Sequence, residues 1–383
     1  MQTQARGARI APFYAMEVLK AANRRQAEGH DVLHLELGEP GGGPPPRAVA
    51  AAAEALKSGT RLGYTEANGM PSLRTRIARH YRDTYDVDVD PAQVVITTGS
   101  SAGLLLGFLA AFGDGARIGV SEPGYPAYRN ILSSLGMTAV GIPTDHAARF
   151  QLTLAMLDAA LPLDGLVIAS PANPTGTMLD ASALAETAPW CAAHGVRLIS
   201  DEVYHGITFG DRAATALGCS PDALVVNSFS KYYAMTGWRV GWMVVPADLL
   251  SAVERLSQNL YISAPTLSQI AAEAAFDDSA FLDAKVAGYA RTRAHLLEAL
   301  PRAGFDRLAP ADGAFYLFAD VSALTDDSAA FCERMLVETG VATTPGIDFD
   351  PQRGNRFLRF AIAGPEEQML EAARRVAAWR RST

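Results

Sequence analysis

Ala223-Leu-Val-Val-Asn-Ser-Phe-Ser-Lys-Tyr-Tyr-Ala-Met-Thr-Gly-Trp-Arg239 is a valine-rich apolar run that gives way to hydroxyls, one lysine and one arginine. Ala223 to Asn227 reads as a buried strand, so Lys231 arrives just beyond its carboxyl end. An amine in that position is partly desolvated. Burial disfavours the ammonium form and lowers a lysine pKa, and a neutral amine can attack a carbonyl to give a Schiff base. Ser228 and Ser230 add hydroxyls, and Arg239 a guanidinium, all suited to a phosphate. The competing reading is a surface loop in which Lys231 merely solvates a turn.

Outward from this stretch, short β-branched runs alternate with helical segments from Gln93 onward, the pattern of an α/β unit with a mainly parallel sheet. The runs are Val94 to Thr97, Arg117 to Val120, Leu166 to Ala169, Val196 to Ile199, Ala223 to Asn227, and Val240 to Val245. Each of the first five leads into polar or glycine-containing residues, and in open α/β sheets ligands sit beyond the carboxyl ends of the strands. Gly99-Ser100-Ser101, Tyr125, Asn173, Asp201 with Tyr204, and Lys231 all fall there. They can converge on one crevice.

Upstream, an arm leads into a helix that ends near Gln26, with Phe13, Val18 and Leu19 as apolar positions. Val32 to Leu37 is a short strand candidate that runs into Gly38-Glu39-Pro40 and the Gly/Pro-rich loop Gly41 to Pro46. Helices are expected over Arg47 to Lys57 and after Pro71, with Tyr64 in the polar loop between them. After Asp248 the chain reads as mostly helix, including Ala284 to Leu300. Gly313 to Val321 and Arg356 to Ile362 are then strands of a smaller α+β unit, closed by a helix from Pro365 to Arg381.

With 383 residues, 49% of them hydrophobic and 19% charged, the chain is long enough for two packed units. A net charge of −8 and no basic run argue against a nucleic-acid or anionic-membrane surface. Cys191, Cys219 and Cys332 are far apart, odd in number and form no C-x-x-C pair, so neither a disulfide framework nor a metal ribbon is expected. The greasiest stretch, Ala102 to Phe112, is too short to span a bilayer. A soluble protein of a reducing cytoplasm, with no metal, fits these features.

Each candidate site residue has a plain alternative. Thr98 to Ser101 lies between a strand and a helix start, where free amides meet a positive helix end and can hold a phosphate, or where a serine simply caps the helix. Asp201 is an acid at the edge of a core and needs a cationic partner. A protonated heteroaromatic nitrogen can be that partner; so can an ordinary ion pair or helix cap. Tyr204 and Asn173 are two donors that can share one phenolate oxygen, although Asn-Pro is also a common turn. Tyr125 can present a ring face or be core. Arg359 shares a strand face with Phe357 and Ala361, either on an edge strand facing solvent or as a fixed guanidinium for a carboxylate.

Together these parts match pyridoxal phosphate, and the chain resembles the fold-type I pyridoxal-phosphate enzymes of the class I/II aminotransferase family over nearly its whole length. The sharpest segments are Ser228-Phe-Ser-Lys231 with Gly237-Trp-Arg239-Val-Gly241, Ser200-Asp-Glu-Val-Tyr204, and Asn173-Pro-Thr-Gly176. The resemblance implies a large α/β domain with a mainly parallel seven-stranded sheet flanked by helices, spanning residues 36–280. A smaller α+β domain is then built from both chain termini, residues 1–35 with 281–383. It implies Lys231 as the Schiff-base lysine, Asp201 as partner of the pyridine nitrogen, and Asn173 and Tyr204 as partners of the ring oxygen. Tyr125 stacks on the ring, and Ser100, Ser101, Ser228 and Arg239 hold the phosphate. Arg359 binds the substrate carboxylate, with Gly38 and Asn173 beside the substrate. The family is typically a homodimer with shared active sites, so Tyr64 reaches the phosphate of the neighbouring subunit.

One segment departs from the family pattern. After Gly38-Glu39-Pro40 similar proteins continue with an acidic residue and an aromatic, whereas this chain has three glycines and three prolines. Side-chain preference and closing motion are therefore not carried over. The expected activity is amino transfer from an L-amino acid to a 2-oxo acid by a ping-pong mechanism, with Lys231 moving the Cα proton. A C–S β-lyase on the same scaffold is the alternative. A pyridoxal-phosphate sensor fused to a DNA-binding module needs more chain before Val32 and a less acidic surface than this sequence has.

Overall fold

The computed structural model describes residues 10–382. The arm expected at the N-terminus lies in residues 1–9, outside the described residues, and α1 follows as Tyr14–Ala27. A two-residue strand β1 (Leu33–His34) comes next, then α2 (Pro46–Lys57) and α3 (Pro71–Tyr85). The strand expected over Val32 to Leu37 is cut short because the backbone beyond His34 is engaged elsewhere. Leu35 O accepts from Ala361 N at 2.7 Å, and Glu36 O accepts from the Thr344 hydroxyl at 2.8 Å.

The large sheet contains β2 (Val94–Thr97), β3 (Arg117–Glu122), β4 (Thr138–Pro143), β5 (Gly165–Ala169), β6 (Arg197–Asp201), β7 (Leu224–Ser228) and β8 (Gly241–Val244). Its order is β2-β8-β7-β6-β5-β3-β4. Strands β3 to β7 run parallel, while β8 is antiparallel to both of its neighbours. Both faces are covered, which explains why the central strands read as continuous apolar runs. Period two sorts their side chains between two cores. Val94, Ile96, Leu166, Ile168, Leu198 and Val225 belong to one, and Val95, Val167, Ile199, Leu224, Val226 and Met243 to the other.

Six of the seven strands correspond to the apolar runs of the sequence, and β4 does not. It is an edge strand in which Ile142 is the one fully buried residue, so no continuous apolar run announces it.

The chain then forms long helices, including Ser279–Arg302, and a second sheet. Strands β9 (Tyr316–Asp320), β10 (Val341–Ala342), β11 (Thr344–Pro345) and β12 (Phe357–Ala361) follow, with the helix Glu366–Ser382 closing the chain. β10 pairs in parallel with β1, and β11-β12-β9 form an antiparallel sheet. β12 is therefore central, which corrects the edge-strand alternative for Arg359: every residue of this strand is buried. Leu33 and Leu35 pack with Phe305, Phe360 and Trp379, so the segment around β1 shares its core with the C-terminal elements.

Candidate active site

Because β3, β5, β6 and β7 are parallel, the residues that follow them gather at one end of the sheet. A cavity of about 200 Å3 opens there. Its walls include Lys231, Asp201, Tyr204 and Asn173, together with Gly38, Ser100, Tyr125 and Arg359. A larger cavity of about 510 Å3, bounded by Arg76, His80 and Arg212, contains none of these residues.

Lys231 Nζ donates to the Gly38 carbonyl at 2.6 Å and lies 5.9 Å from the Tyr204 ring centre. Burial, reinforced by the Arg359 charge, pulls its pKa down to about 8, against the opposing pull of Glu39 and Asp201. Gly38 is glycine for a steric reason. A Cβ there would lie 1.8 Å from the Tyr316 hydroxyl oxygen. That hydroxyl shares a 2.6 Å hydrogen bond with Tyr204, so Gly38, Tyr316, Tyr204 and Lys231 form one packed unit.

Asp201 ends β6 and is buried. Its Oδ2 accepts from the Tyr128 hydroxyl at 2.6 Å and its Oδ1 from Val203 N at 3.1 Å. Burial pushes the carboxyl pKa up, while Tyr128, Val203 and the Lys231 charge hold it down. An N–H cation brought against this group would compensate its desolvation.

Arg359 is fully buried on the central strand of the small sheet. Nη1 donates to Asn173 Oδ1 at 2.8 Å, and Nη2 donates to Glu36 O at 2.5 Å and Thr344 Oγ1 at 3.2 Å. The Tyr316 and Phe349 ring centres lie 4.5 and 4.7 Å from the guanidinium carbon. Its Nε is buried and has no hydrogen-bond partner, leaving one donor of the fork for a ligand.

A second group of polar features adjoins the cavity. Gly99, at φ 80°, precedes the helix α4 (Ser100–Ala111), and no side chain caps the helix start. The first amides of α4 are therefore without helical partners. A Cβ at Gly99 would come within 2.5 Å of Arg239 Nη2, so the glycine lets the guanidinium approach the helix start. Arg239 is itself held at φ 49°, with Nη1 donating to Thr236 O at 2.9 Å. Positive charge and free amides at one helix N-terminus make an anion cradle.

Four of the sequence candidates lie off the cavity wall. Arg239 stands at the cradle, and Ser101 is exposed on the first turn of α4. Ser228 is buried, with its hydroxyl donating to Ser230 Oγ at 2.8 Å. Tyr64 is 82% exposed. Tyr204 and Asn173 are engaged by Tyr316 and Arg359, rather than directed together at one point. The sequence analysis assigned no role to Tyr128, Tyr316, Phe349 or the carbonyl of Glu36. The spacing Tyr125-x-x-Tyr128 at a helix start was the available signal, since it sets both rings on one face.

Residues 30–376 match the family described as aminotransferase class I and II. The chain is 52% identical to a valine–pyruvate aminotransferase of Mycobacterium tuberculosis, over 97% of this chain and 96% of that protein. It is 32% identical to a (5-formylfuran-3-yl)methyl phosphate transaminase of Methanocaldococcus jannaschii, over 95% of each. The crystal structure of an aminotransferase from Mycobacterium tuberculosis superposes with a TM-score of 0.97 at 51% identity, covering 100% of both chains. With these matches running through the lysine, aspartate and arginine segments that build the cavity, the chain belongs to the class I and II aminotransferases and is an enzyme of that activity.

Proposed function

We propose that this enzyme moves the amino group of a small apolar L-amino acid, valine or a close relative, to pyruvate, using pyridoxal phosphate. The observation that carries the proposal is the composition of one cavity. It holds a lysine amine, a buried carboxylate and a guanidinium, and apart from Ser100 and Asn173 its other side-chain walls, among them Phe13, Leu37, Tyr125, Tyr128 and Val203, are apolar or aromatic. Among the described residues no second arginine lines it, so an acidic donor side chain lacks a cation to meet. The valine–pyruvate relative at 52% identity points the same way.

The residues present fit pyridoxal phosphate on three grounds. The cradle of Gly99, Arg239 and the α4 N-terminus suits its phosphate, with Ser100 and Ser101 supplying amides and hydroxyls and the Ser228–Ser230 pair bracing the turn. Asp201, buried and short of a cation, suits its ring nitrogen. Lys231, with its pKa lowered to about 8, suits its carbonyl carbon. When bound, the cofactor supplies an electron-withdrawing ring for the electron pair left at Cα. Lys231 Nζ takes the proton from the substrate Cα and returns it, and a lowered pKa leaves a usable fraction of neutral amine near neutral pH. Arg359 orients the substrate carboxylate, using the donor now unpartnered at Nε, and Asn173 holds the guanidinium from its other side. Tyr125 covers the cofactor face, and Tyr204 serves its ring oxygen once that oxygen competes with Tyr316.

We further propose a homodimer in which Tyr64 serves the neighbouring site, and a cytoplasmic location. Tyr64 is exposed together with Leu62 and Ile262, the three cysteines are free thiols, and no described helix is long and apolar enough to cross a membrane. Residues 36–280 would form the large unit and residues 1–35 with 281–383 the small one. The C–S lyase alternative gains nothing from the two relatives described above, both named as amino-group transferases.

The test is the visible spectrum of the purified holoenzyme during addition of L-valine, L-alanine, L-aspartate and L-phenylalanine in turn, followed by pyruvate. Bleaching with the aliphatic donors and recovery with pyruvate supports the proposal. Preferential bleaching by aspartate overturns the donor class, and ammonia release without recovery overturns transamination.

A further inference from the structure

Asp348 is absent from the cavity wall, yet it touches the elements that build one side of it. It is buried at the end of the turn Gly346–Asp348, between β11 and β12. Its Oδ1 accepts from Tyr14 N at 3.2 Å and its Oδ2 from Ala15 N at 3.2 Å. These amides open α1, where the preceding residue, Phe13, supplies no side-chain cap. A carboxylate from the other end of the chain therefore caps this helix and meets its positive end. Phe13 and Ala15 both line the cavity.

The next residue extends the same junction. The Phe349 ring packs on Arg359, and Phe349 O accepts from Gly124 N at 3.0 Å, beside Tyr125. Tyr125 meets Phe13 edge-on at 6.2 Å and Tyr128 at 5.4 Å. Arg129 donates to Asp348 O at 2.5 Å, fixing the turn from the large-sheet side. Against these polar ties, the fully buried residues of α1 are only two alanines, Ala15 and Ala22, so apolar burial anchors the helix weakly.

We infer that Asp348 is a positioning residue for donor selection: by capping α1 it holds Phe13 and Ala15 as the wall that limits the size of the amino-acid side chain. The inference rests on the proposed transamination of a small apolar donor. Asp348 touches neither cofactor nor substrate, so its effect runs through Phe13. That dependence separates it from a residue needed only for folding.

The experiment compares Asp348→Asn, Phe13→Ala and the double variant as holoenzymes, with L-valine and L-phenylalanine as donors and pyruvate as acceptor. Asp348→Asn is expected to raise the valine KM about tenfold, with kcat within about twofold and the cofactor absorbance unchanged. Preference for valine over phenylalanine falls in both single variants, and the double variant is no worse than the stronger single one. Tyr14→Pro against Tyr14→Ala gives a second measurement, because proline is accepted at the first helical position and, relative to alanine, removes one of the two amides that Asp348 receives. A severalfold higher KM in the proline variant is expected, and it remains readable if Asp348→Asn fails to fold. Loss of kcat and cofactor with KM unchanged, or multiplicative effects in the double variant, overturns the inference. If wild type rejects valine, the donor proposal fails, and the same variant comparison on whichever two donors wild type accepts still decides the role of Asp348.

Discussion

The Tyr128 hydroxyl donates to Asp201 Oδ2 at 2.6 Å, tying the helix after β3 to the carboxyl end of β6. A buried carboxylate whose pKa is pushed up by desolvation keeps its charge only through such donors. Tyr128→Phe removes one of them and lets the pKa rise further. Since the ionised form is the useful one, the acid limb of the kcat/KM profile should move to higher pH. A hydrogen bond to a charged group contributes about 2 kcal/mol, so kcat/KM at neutral pH should fall roughly 30-fold. A pH–rate profile of the variant checks both, and an unmoved acid limb contradicts the assignment of Asp201.

Lys231 gives a prediction of opposite sign. Its pKa is lowered from 10.5 to about 8, so the folded cofactor-free protein binds fewer protons than the unfolded chain between those values. The resulting penalty on the folded state is full below about pH 8 and fades as pH rises toward 10.5. This group alone therefore makes stability of the cofactor-free protein increase over that window. Cofactor uptake, which needs the neutral amine, should accelerate up to about pH 8 and then level off. Stopped-flow absorbance of uptake against pH tests this, and a rate that keeps climbing past pH 8 toward 10.5 would rule out the lowered pKa.

Arg359→Lys should behave as a severe change, although the charge is kept. Asn173, Glu36 and Thr344 all receive hydrogen bonds from one planar fork between two rings, which a single ammonium cannot reproduce. The KM for both amino acid and 2-oxo acid should rise about a hundredfold, equivalent to about 3 kcal/mol, with cofactor retained. Steady-state kinetics beside a cofactor-binding isotherm will separate these effects. Equal loss of cofactor would mean that Arg359 is structural.

Gly38→Ala tests the packed unit around Lys231. The added methyl would meet the Tyr316 hydroxyl at 1.8 Å and Cζ at 2.7 Å, so the tyrosine or the 38–39 backbone must move. Overpacking of this kind costs about 1 to 3 kcal/mol. Denaturant unfolding should register that loss, and turnover should fall with it, because the displaced carbonyl is the one Lys231 uses.

The sequence displayed what is local and hid what is assembled. β-branched runs marked six strands of the large sheet because both faces of those strands are buried, and the residues after them form the cavity because parallel strands share one end. β4 was invisible because only Ile142 of its six residues is buried, so it carries no continuous apolar run. Tyr316 was hidden inside a strand whose apolar neighbours look the same, and its meaning depends on Gly38, far away in the chain. Asp348 and Glu36 act through contacts spanning more than 300 residues, so no window of neighbouring residues reveals them. Arg359 was legible as a charge in an apolar run, but only pairing showed that its strand is central.

Tyr64 provides the test of the shared site. It is 82% exposed, so its side chain is accessible to a second copy. If its hydroxyl serves the neighbouring phosphate cradle, Tyr64→Ala weakens cofactor binding at the partner's site, while Lys231→Ala abolishes turnover at its own. Co-refolding the two variants, assayed at a cofactor concentration too low to load a site that lacks the tyrosine, then creates mixed dimers in which one site has both a lysine and a tyrosine. Random pairing makes half the dimers mixed, each with one intact site, so about a quarter of wild-type activity should return. Sedimentation of the mixture confirms the dimer, and recovery at no more than the sum of the separate variants would show that each subunit carries its own complete site.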